Sequence, residues 1–168
     1  DTDDADTEGF TMIHYACQYG QAEIVKLLLE RNPDSVNRVS NVGETPLMMA
    51  ARASNLLIVK QLLAAGAEVG CSNAKGVTAL HLAAILGNVS LGKALLAGSD
   101  IDAKTLDGQT PLMYAVIRGK SEFAQILVLE SADVNAVDNF QGSALSYAIL
   151  AELPQTVELL IEAGAEGN

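Results

Sequence analysis

Two histidines and two cysteines are the residues through which this chain could do chemistry, because it is otherwise aliphatic and acidic. His14 and His81 are too far apart in the sequence to belong to one local motif, and no Cys/His spacing typical of a zinc site occurs. There is no Gly-x-Ser-x-Gly, phosphate-binding loop or dinucleotide fingerprint. We therefore predict no catalytic residue, no metal site and no cofactor, and we do not expect an enzyme.

The cysteines favour free thiols over a disulfide. Cys17 takes a small apolar position in a helical pattern, and Cys71 lies in a segment between helices. An unpatterned pair of this kind is typical of a reducing compartment, so we expect an intracellular protein of the cytoplasm or nucleus. The alternative is a disulfide that links the first repeated unit to the segment after the second.

The elements that must position these residues follow a repeat. A helix-capping Thr or Ser recurs at intervals of 32 to 34 residues. In the fourth copy, Gly108 precedes Thr110, whose hydroxyl can accept a hydrogen bond from a free N–H of the helix, and Pro111 takes the first helical position. A fixed period of this length predicts stacked supersecondary units. The five capping residues are Thr11, Thr45, Thr78, Thr110 and Ser143.

The repeated segments resemble the ankyrin repeat. Gly76-Val77-Thr78-Ala79-Leu80-His81-Leu82-Ala83-Ala84 follows its Gly-x-Thr-Pro-Leu-His-x-Ala-Ala pattern except for Ala79 at the proline position, and Ala65-Gly66-Ala67-Glu68-Val69 resembles its ending. The resemblance implies an all-α solenoid of helix–turn–helix units with short β-hairpin-like turns, in a single domain over 1–168. It also implies that His14 and His81 brace neighbouring turns by hydrogen bonds. The repeats are expected at about 6–39, 40–72, 73–104, 105–137 and 138–168.

Several positions depart from the pattern. Gly92 stands inside a helix where neighbouring repeats have valine, so we expect lost packing and a soft joint there. Gly142 is displaced by one residue, and the turn before it is expected to differ. Thr156 makes the last helix more polar, as in a terminal repeat that faces water. Second helices should bury an apolar stripe. These stripes are Ile24, Val25, Leu28 and Leu29 in repeat one and Ile58, Val59, Leu62 and Leu63 in repeat two, with Phe123 and Leu127 as larger core residues in repeat four.

Composition limits the possible partners. The chain of 168 residues has a formal net charge of −11, which disfavours nucleic acid and favours a protein partner with a basic surface. No apolar run is long enough to cross a membrane. We expect a monomer in isolation. The acidic segment from Asp1 to Glu8 is expected to be a solvated end, with a hook for a basic partner as the alternative.

The resemblance implies a concave binding face made of the pre-helix turns and the exposed ends of the first helices. The expected protein-binding residues are Phe10, Tyr19, Val42, Glu44, Arg52, Lys75, Val77, Ile85, Leu86, Leu106, Gln109, Ile117, Arg118, Phe140 and Leu150. Ile85, Ile117 and Leu150 are equivalent in consecutive repeats and should form an apolar stripe. The alternative is that these three side chains only extend the core.

The expected function is a non-catalytic protein–protein interaction module that binds a protein or peptide on its concave face. Two alternatives stay open: a regulatory subunit that masks a transcription factor or kinase, and a targeting module of a larger enzyme or channel. The segment from Leu127 to Asn135 also resembles the ankyrin pattern modified by an asparaginyl hydroxylase, with Asn135 as acceptor. The favoured interpretation is that Asn135 caps its turn.

Overall fold

The computed structural model describes residues 4–167 as a stack of five helix pairs. The first helices are α1 (Met12–Gln18), α3 (Pro46–Arg52), α5 (Ala79–Leu86), α7 (Pro111–Ile117) and α9 (Ala144–Leu150). The second helices are α2 (Ala22–Arg31), α4 (Leu56–Ala64), α6 (Val89–Leu96), α8 (Ser121–Leu129) and α10 (Pro154–Glu162), and a 3₁₀ turn at Pro33–Asn37 follows α2. Each first helix packs on the next first helix, and each second helix on the next second helix. The predicted all-α solenoid is confirmed.

Small residues let the first helices approach closely. The fifth residue after each cap is alanine, and all five side chains are buried. They are Ala16, Ala50, Ala83, Ala115 and Ala148. Because alanine adds little width, it allows neighbouring first helices to approach each other, and one apolar core runs along the stack.

The repeated Thr or Ser caps its helix as predicted. The hydroxyls of Thr45, Thr78, Thr110 and Ser143 accept hydrogen bonds from the N–H three residues further on, at 3.2 to 3.4 Å. Each bond satisfies one of the free N–H groups at a helix N-terminus. Pro46 and Pro111 occupy the first helical position.

Hairpin-like turns join the repeats side by side. Within a turn, the N–H of Thr105 donates to the carbonyl of Gln109 at 3.0 Å, and equivalent bonds close the other turns. Between turns, Ala74 donates to the Val42 carbonyl and Leu106 to the Lys75 carbonyl, each at 2.9 Å. The row of turns is therefore continuous and fixes the spacing of the residues it carries.

The turn before α9 keeps the same form, so the expectation that it would differ is wrong. The N–H of Asp138 donates to the Gly142 carbonyl at 3.0 Å, as in the other turns. Glycine holds the left-handed position in the other four turns, whereas Gln141 holds it here with φ of 63°. A Cβ on Gly142 would press on the hydroxyl end of the Tyr147 side chain, which would have to shift.

Gln141→Gly is expected to stabilise the protein by about 0.5–1 kcal/mol, because only glycine adopts a left-handed φ without steric cost. Urea unfolding of the two proteins measures this difference. The matched control is Gln125→Gly on the exposed face of α8, which should destabilise by about 1 kcal/mol. If the Gln141→Gly protein is no more stable than wild type, the left-handed backbone at Gln141 is not strained.

The second helices bury most of the predicted stripes. Val25 and Leu28, then Ile58, Val59 and Leu62, are buried, and Leu29 and Leu63 are half-buried. Phe123 and Leu127 are buried as predicted. Ile24 is 44% exposed, which corrects its assignment to the core. Its equivalent in repeat two, Ile58, packs in the interior of the stack, whereas the described residues place no earlier repeat against Ile24.

Gly92 does not leave the packing defect expected of it. The ring of Phe123 fills the space, since a Cβ on Gly92 would lie 2.5 Å from Cε2 and 2.7 Å from Cζ of that ring. Both residues are buried. The soft joint was predicted from lost packing, and that premise is wrong because the next repeat supplies the missing volume.

The last repeat also differs from expectation. Thr156 is buried against repeat four, where its hydroxyl donates to Ser121 Oγ at 2.8 Å, so it does not face water. The outer face of this repeat combines exposed apolar and acidic side chains, which are Ile149, Ile161, Glu152, Glu158 and Glu162. Ile149 is 59% exposed, whereas its equivalents Cys17, Ala51, Ala84 and Val116 are buried under the next repeat.

Candidate protein-binding groove

A groove lies across the turns and first-helix ends of repeats two to four. Its main part has a volume of about 550 Å³, and a smaller depression of about 140 Å³ adjoins it beside α7. We call these two together the central groove. Its lining is Val42, Glu44, Arg52, Asn73, Ala74, Lys75, Val77, Leu82, Ile85, Gln109, Tyr114, Ile117 and Arg118.

The central groove brings together nine of the fifteen residues predicted from the sequence. These nine are Val42, Glu44, Arg52, Lys75, Val77, Ile85, Gln109, Ile117 and Arg118. The other six lie outside it. Tyr19, Leu86, Leu106, Phe140 and Leu150 are exposed elsewhere, and Phe10 packs its ring edge-on against His14, with ring centroids 5.5 Å apart.

Sequence reasoning missed four lining residues. Leu82 and Tyr114 follow their caps by four residues and so lie in the middle of first helices, where only the turn-proximal positions were considered. Asn73 and Ala74 begin a turn. The side-chain oxygen of Asn73 accepts from the N–H groups of Lys75 and Val77 at 2.9 and 3.1 Å, so this residue shapes the turn. The sequence signal that could have identified Asn73 is an Asn at the start of a Gly-containing turn.

Glu44 is held at the bottom of the groove. Its Oε1 accepts a hydrogen bond from Arg52 at 2.6 Å and another from Asn73 Nδ2 at 2.8 Å. Its Oε2 is closed off from solvent and has no hydrogen-bond partner among the described residues. Glu44 therefore positions Arg52 on one side and the next turn on the other.

Lys75 and Arg118 are the free cations of the groove. Both are exposed, and neither side chain forms an ion pair or hydrogen bond with the described residues. Tyr114 lies beside Arg118. Burial raises the pKa of the Tyr114 hydroxyl and the charge of Asp107 adds to this, while a hydrogen bond with Thr105 and the charge of Arg118 act in the opposite direction.

The histidines brace neighbouring repeats, as predicted. His81 Nδ1 accepts the N–H of Thr78 at 3.2 Å, which leaves Nε2 to donate to the Gln109 carbonyl at 3.1 Å. His14 does the same with Thr11 and with the Glu44 carbonyl, at 3.1 Å in both cases. Burial is the main cause that lowers the pKa of both imidazoles. They hold the turns that carry Glu44 and Gln109.

Both cysteines are free thiols, which confirms the expectation against a disulfide. Cys17 is buried in α1, and burial raises its pKa to about 12. Cys71 is half-buried, and burial followed by its contact with Glu68 raises its pKa.

We expect one thiol of the native protein to react with Ellman's reagent at pH 8, because only Cys71 reaches solvent. Cys17 should react only after unfolding. A Cys71→Ser variant would then show no fast thiol in the native state and one in urea. Equal rates for both native thiols would contradict the burial of Cys17.

Asn135 links repeat four to repeat five. Its Nδ2 donates to the Gly164 carbonyl at 3.0 Å, and its Oδ1 accepts the N–H of Glu166 at 2.9 Å. Asn37 makes the equivalent pair with Gly66 and Glu68. Both side-chain bonds of Asn135 therefore reach the next repeat, so the interpretation that Asn135 caps its own turn is wrong. In that turn, Asp133 Oδ1 accepts the N–H of Asn135 at 2.9 Å. Its hydroxylation stays a prediction.

Asp6 is part of the first turn. Its Oδ1 accepts the N–H groups of Glu8 and Phe10, both at 2.9 Å, and Tyr15 donates to its Oδ2. The exposed carboxylate of Asp6 therefore stabilises the first turn through these hydrogen bonds. Asp1 and Asp3, which belong to the same predicted acidic segment, lie outside the described residues.

Within residues 4–167, no group of three or more His, Cys, Asp or Glu side chains is arranged to hold a metal ion. In the same range, no helix has the length and apolar character that crossing a membrane requires.

These features define a repeat solenoid whose variable surface is carried by its turns and first-helix ends. The chain belongs to the ankyrin-repeat family. The family model described as ankyrin repeats (3 copies) matches residues 1–73, 33–105 and 80–168.

Three relatives illustrate the range of proteins that contain similar repeats. The chain is 36% identical over 164 residues to the putative palmitoyltransferase ZDHHC13 of Danio rerio, covering 95% of this chain and 25% of that protein. It is 36% identical to the nuclear factor NF-kappa-B p105 subunit of Gallus gallus, covering 81% of this chain and 14% of that protein. It is 34% identical to the neurogenic locus notch homolog protein 1 of Mus musculus, covering 77% and 5%. The chain thus spans a quarter or less of these relatives.

Proposed function

We propose that this chain is a non-catalytic interaction module that binds a protein or peptide segment through the central groove and the adjoining turns. The observation that carries the proposal is the groove itself. Its apolar walls lie beside Lys75 and Arg118, which form no ion pair with the described residues, and a hydrogen-bonded row of turns fixes their placement. Rigid placement favours binding because less conformational entropy is lost on association. We infer that residues 1–168 act as one binding unit.

The different roles of repeated and unrepeated residues support this proposal. The caps and the buried alanines recur in every repeat and stack the helices. The residues that line the groove differ between equivalent positions. Arg52 corresponds to Ile85, and Glu44 corresponds to Val77 and Gln109. A binding surface on a repeat scaffold is expected at such variable, outward-facing positions.

The apolar stripe is graded along the stack. Ile85 is half-buried and packs against the core, Ile117 is 41% exposed, and Leu150 is 78% exposed. The alternative that the stripe extends the core therefore describes Ile85 best. Ile117 remains available at the edge of the groove, which makes it the position to test.

The test is cross-linking capture with mass spectrometry, comparing Ile117→Glu with wild type. The matched control is Leu129→Glu, which introduces the same charge at a residue 72% exposed on outer helix α8. We expect Ile117→Glu alone to lose captured partners, with melting unchanged in both variants. Equal capture by all three proteins would refute the assignment, and lost folding of Ile117→Glu would show a core role.

Two more specific functions remain candidates, each favoured by a relative. Likeness to the p105 subunit of nuclear factor NF-kappa-B favours a regulatory module that masks a transcription factor or kinase. Likeness to the putative palmitoyltransferase favours a targeting module within a larger enzyme, with a channel as a further possible host. The coding sequence on either side of these residues distinguishes the two.

We propose an intracellular setting, because both cysteines are free thiols. We also propose that the chain is a monomer in isolation. Light scattering after gel filtration tests the monomer. The net charge of −11 favours a partner with a basic surface at long range. We also propose Asn135 as a hydroxylation acceptor, tested by a 16 Da (about one oxygen) mass increase that Asn135→Ala removes.

A further inference from the structure

We propose that the central groove binds an acidic peptide segment, in which an Asp or Glu side chain lies between Lys75 and Arg118 and apolar neighbours contact the groove walls. This inference rests on the proposed function, since it names the chemistry of the partner at the same site. The charge of this proposed partner is opposite to that of the basic partner expected from the net charge of the chain.

The local charge of the groove differs from that of the chain. Three cations line it, Arg52, Lys75 and Arg118, against Glu44 as the one acid among the lining residues. The whole chain has 21 acidic and 10 basic residues. Almost a third of its basic residues are thus collected in one depression, where they face a partner together.

The groove acid is unavailable to a partner. Glu44 Oε1 already accepts bonds from Arg52 and Asn73, and its Oε2 is shut off from solvent. A partner's lysine or arginine would find no open carboxylate there. Lys75 and Arg118 have no competing ion pair among the described residues and can each donate to an incoming carboxylate.

The apolar walls of the central groove determine which side chains of the peptide can flank its Asp or Glu. Val42 is half exposed in the main part of the groove, Ile117 lines the adjoining depression with 41% exposure, and the half-buried Tyr114 lines both parts. Apolar contacts of this kind exclude water around a charge pair and strengthen it. The segment expected is therefore acidic and apolar in alternation, not uniformly acidic.

Screening explains why the overall negative charge does not prevent this binding. At physiological salt the Debye length is about 8 Å, so distant carboxylates act weakly on a ligand inside the groove. Asp107 is a nearby exception, because its charge reaches Tyr114. Asp107→Asn should therefore strengthen binding of an acidic segment.

The experiment is selection from a phage-displayed random 12-residue library on the wild-type protein, followed by measured affinities of the selected synthetic peptides. We expect enrichment of peptides with Asp or Glu next to aliphatic or aromatic residues. The double variant Lys75→Glu/Arg118→Glu should weaken them at least tenfold. The control, Lys26→Glu/Lys93→Glu, makes the same charge change on outer helices and should leave affinity within twofold.

The outcomes separate this inference from the proposed function. Selected peptides that lose binding with Ile117→Glu but show no acidic preference, or a basic one, overturn the acidic partner and leave the groove as a binding site. Peptides unaffected by Ile117→Glu and by the Lys75/Arg118 reversal overturn both. Acidic peptides weakened equally by both double variants reflect general charge attraction, and they too overturn the inference.

Discussion

Replacing Gly92 with valine is expected to destabilise the protein by about 2–3 kcal/mol, although valine holds the equivalent position in repeats one and two. Helix propensity alone predicts a gain, since glycine costs about 1 kcal/mol relative to alanine inside a helix. The structure predicts the opposite sign because the ring of Phe123 already occupies the space, 2.5 Å from where the new Cβ would be. Urea unfolding measures the change.

A double-mutant cycle tests whether Phe123 is the cause. Phe123→Leu alone should cost about 1–2 kcal/mol through the volume it leaves empty. In the Gly92→Val/Phe123→Leu protein the two changes offset each other, so its stability should lie above that of either single variant. The coupling should exceed about 1 kcal/mol. Additive effects would show that the two residues do not share one packing site.

Replacing both histidines by methionine is expected to cost about 2 kcal/mol at pH 7 and to reduce sensitivity to acid. Methionine already occupies the equivalent, buried positions Met48 and Met113, so the side chain fits. Each replacement removes a hydrogen bond to a carbonyl of the next turn, worth about 1 kcal/mol. Unfolding at pH 7 and at pH 5 measures both effects.

The sign of the pH effect follows from burial. Both histidines have a lowered pKa in the folded protein, so the unfolded chain takes up protons first as pH falls below about 6.5. Their contribution to stability is complete above that pH and decreases as pH falls towards the folded pKa. The wild-type advantage over His14→Met/His81→Met should therefore shrink between pH 7 and pH 5. A constant or growing advantage would contradict neutral, buried imidazoles.

The fold was predictable because its determinants are local and repeated. A cap such as Thr110 and proline at 111 act within one helix, and alanine at 115 marks the face that contacts the next helix. Their recurrence implies the stack. Gly92 and Thr156 were misread because their environment comes from the neighbouring repeat. The ring of Phe123 fills the space beside Gly92, and Ser121 accepts the hydrogen bond of Thr156. Nothing within one repeat reveals what the next one places against it.

The candidate site was predictable to the level of turns and helix ends. Those positions follow from the repeat, and nine of them line the groove. The extent of the groove was not predictable, because Tyr114 reaches it from mid-helix and Leu150 lies beyond it. Local charge was hidden as well. A net charge of −11 says nothing about Arg52, Lys75 and Arg118 facing one depression.

Site-specific photo-cross-linking shows directly whether a partner binds in the central groove. A benzophenone amino acid is placed at position 117 at the edge of the groove or at position 129 on the outer face of α8, and the captured partner is identified by mass. If the partner binds in the central groove, it is captured from position 117 and little or not at all from position 129. Equal capture from both positions, or capture from 129 alone, would contradict binding in the central groove.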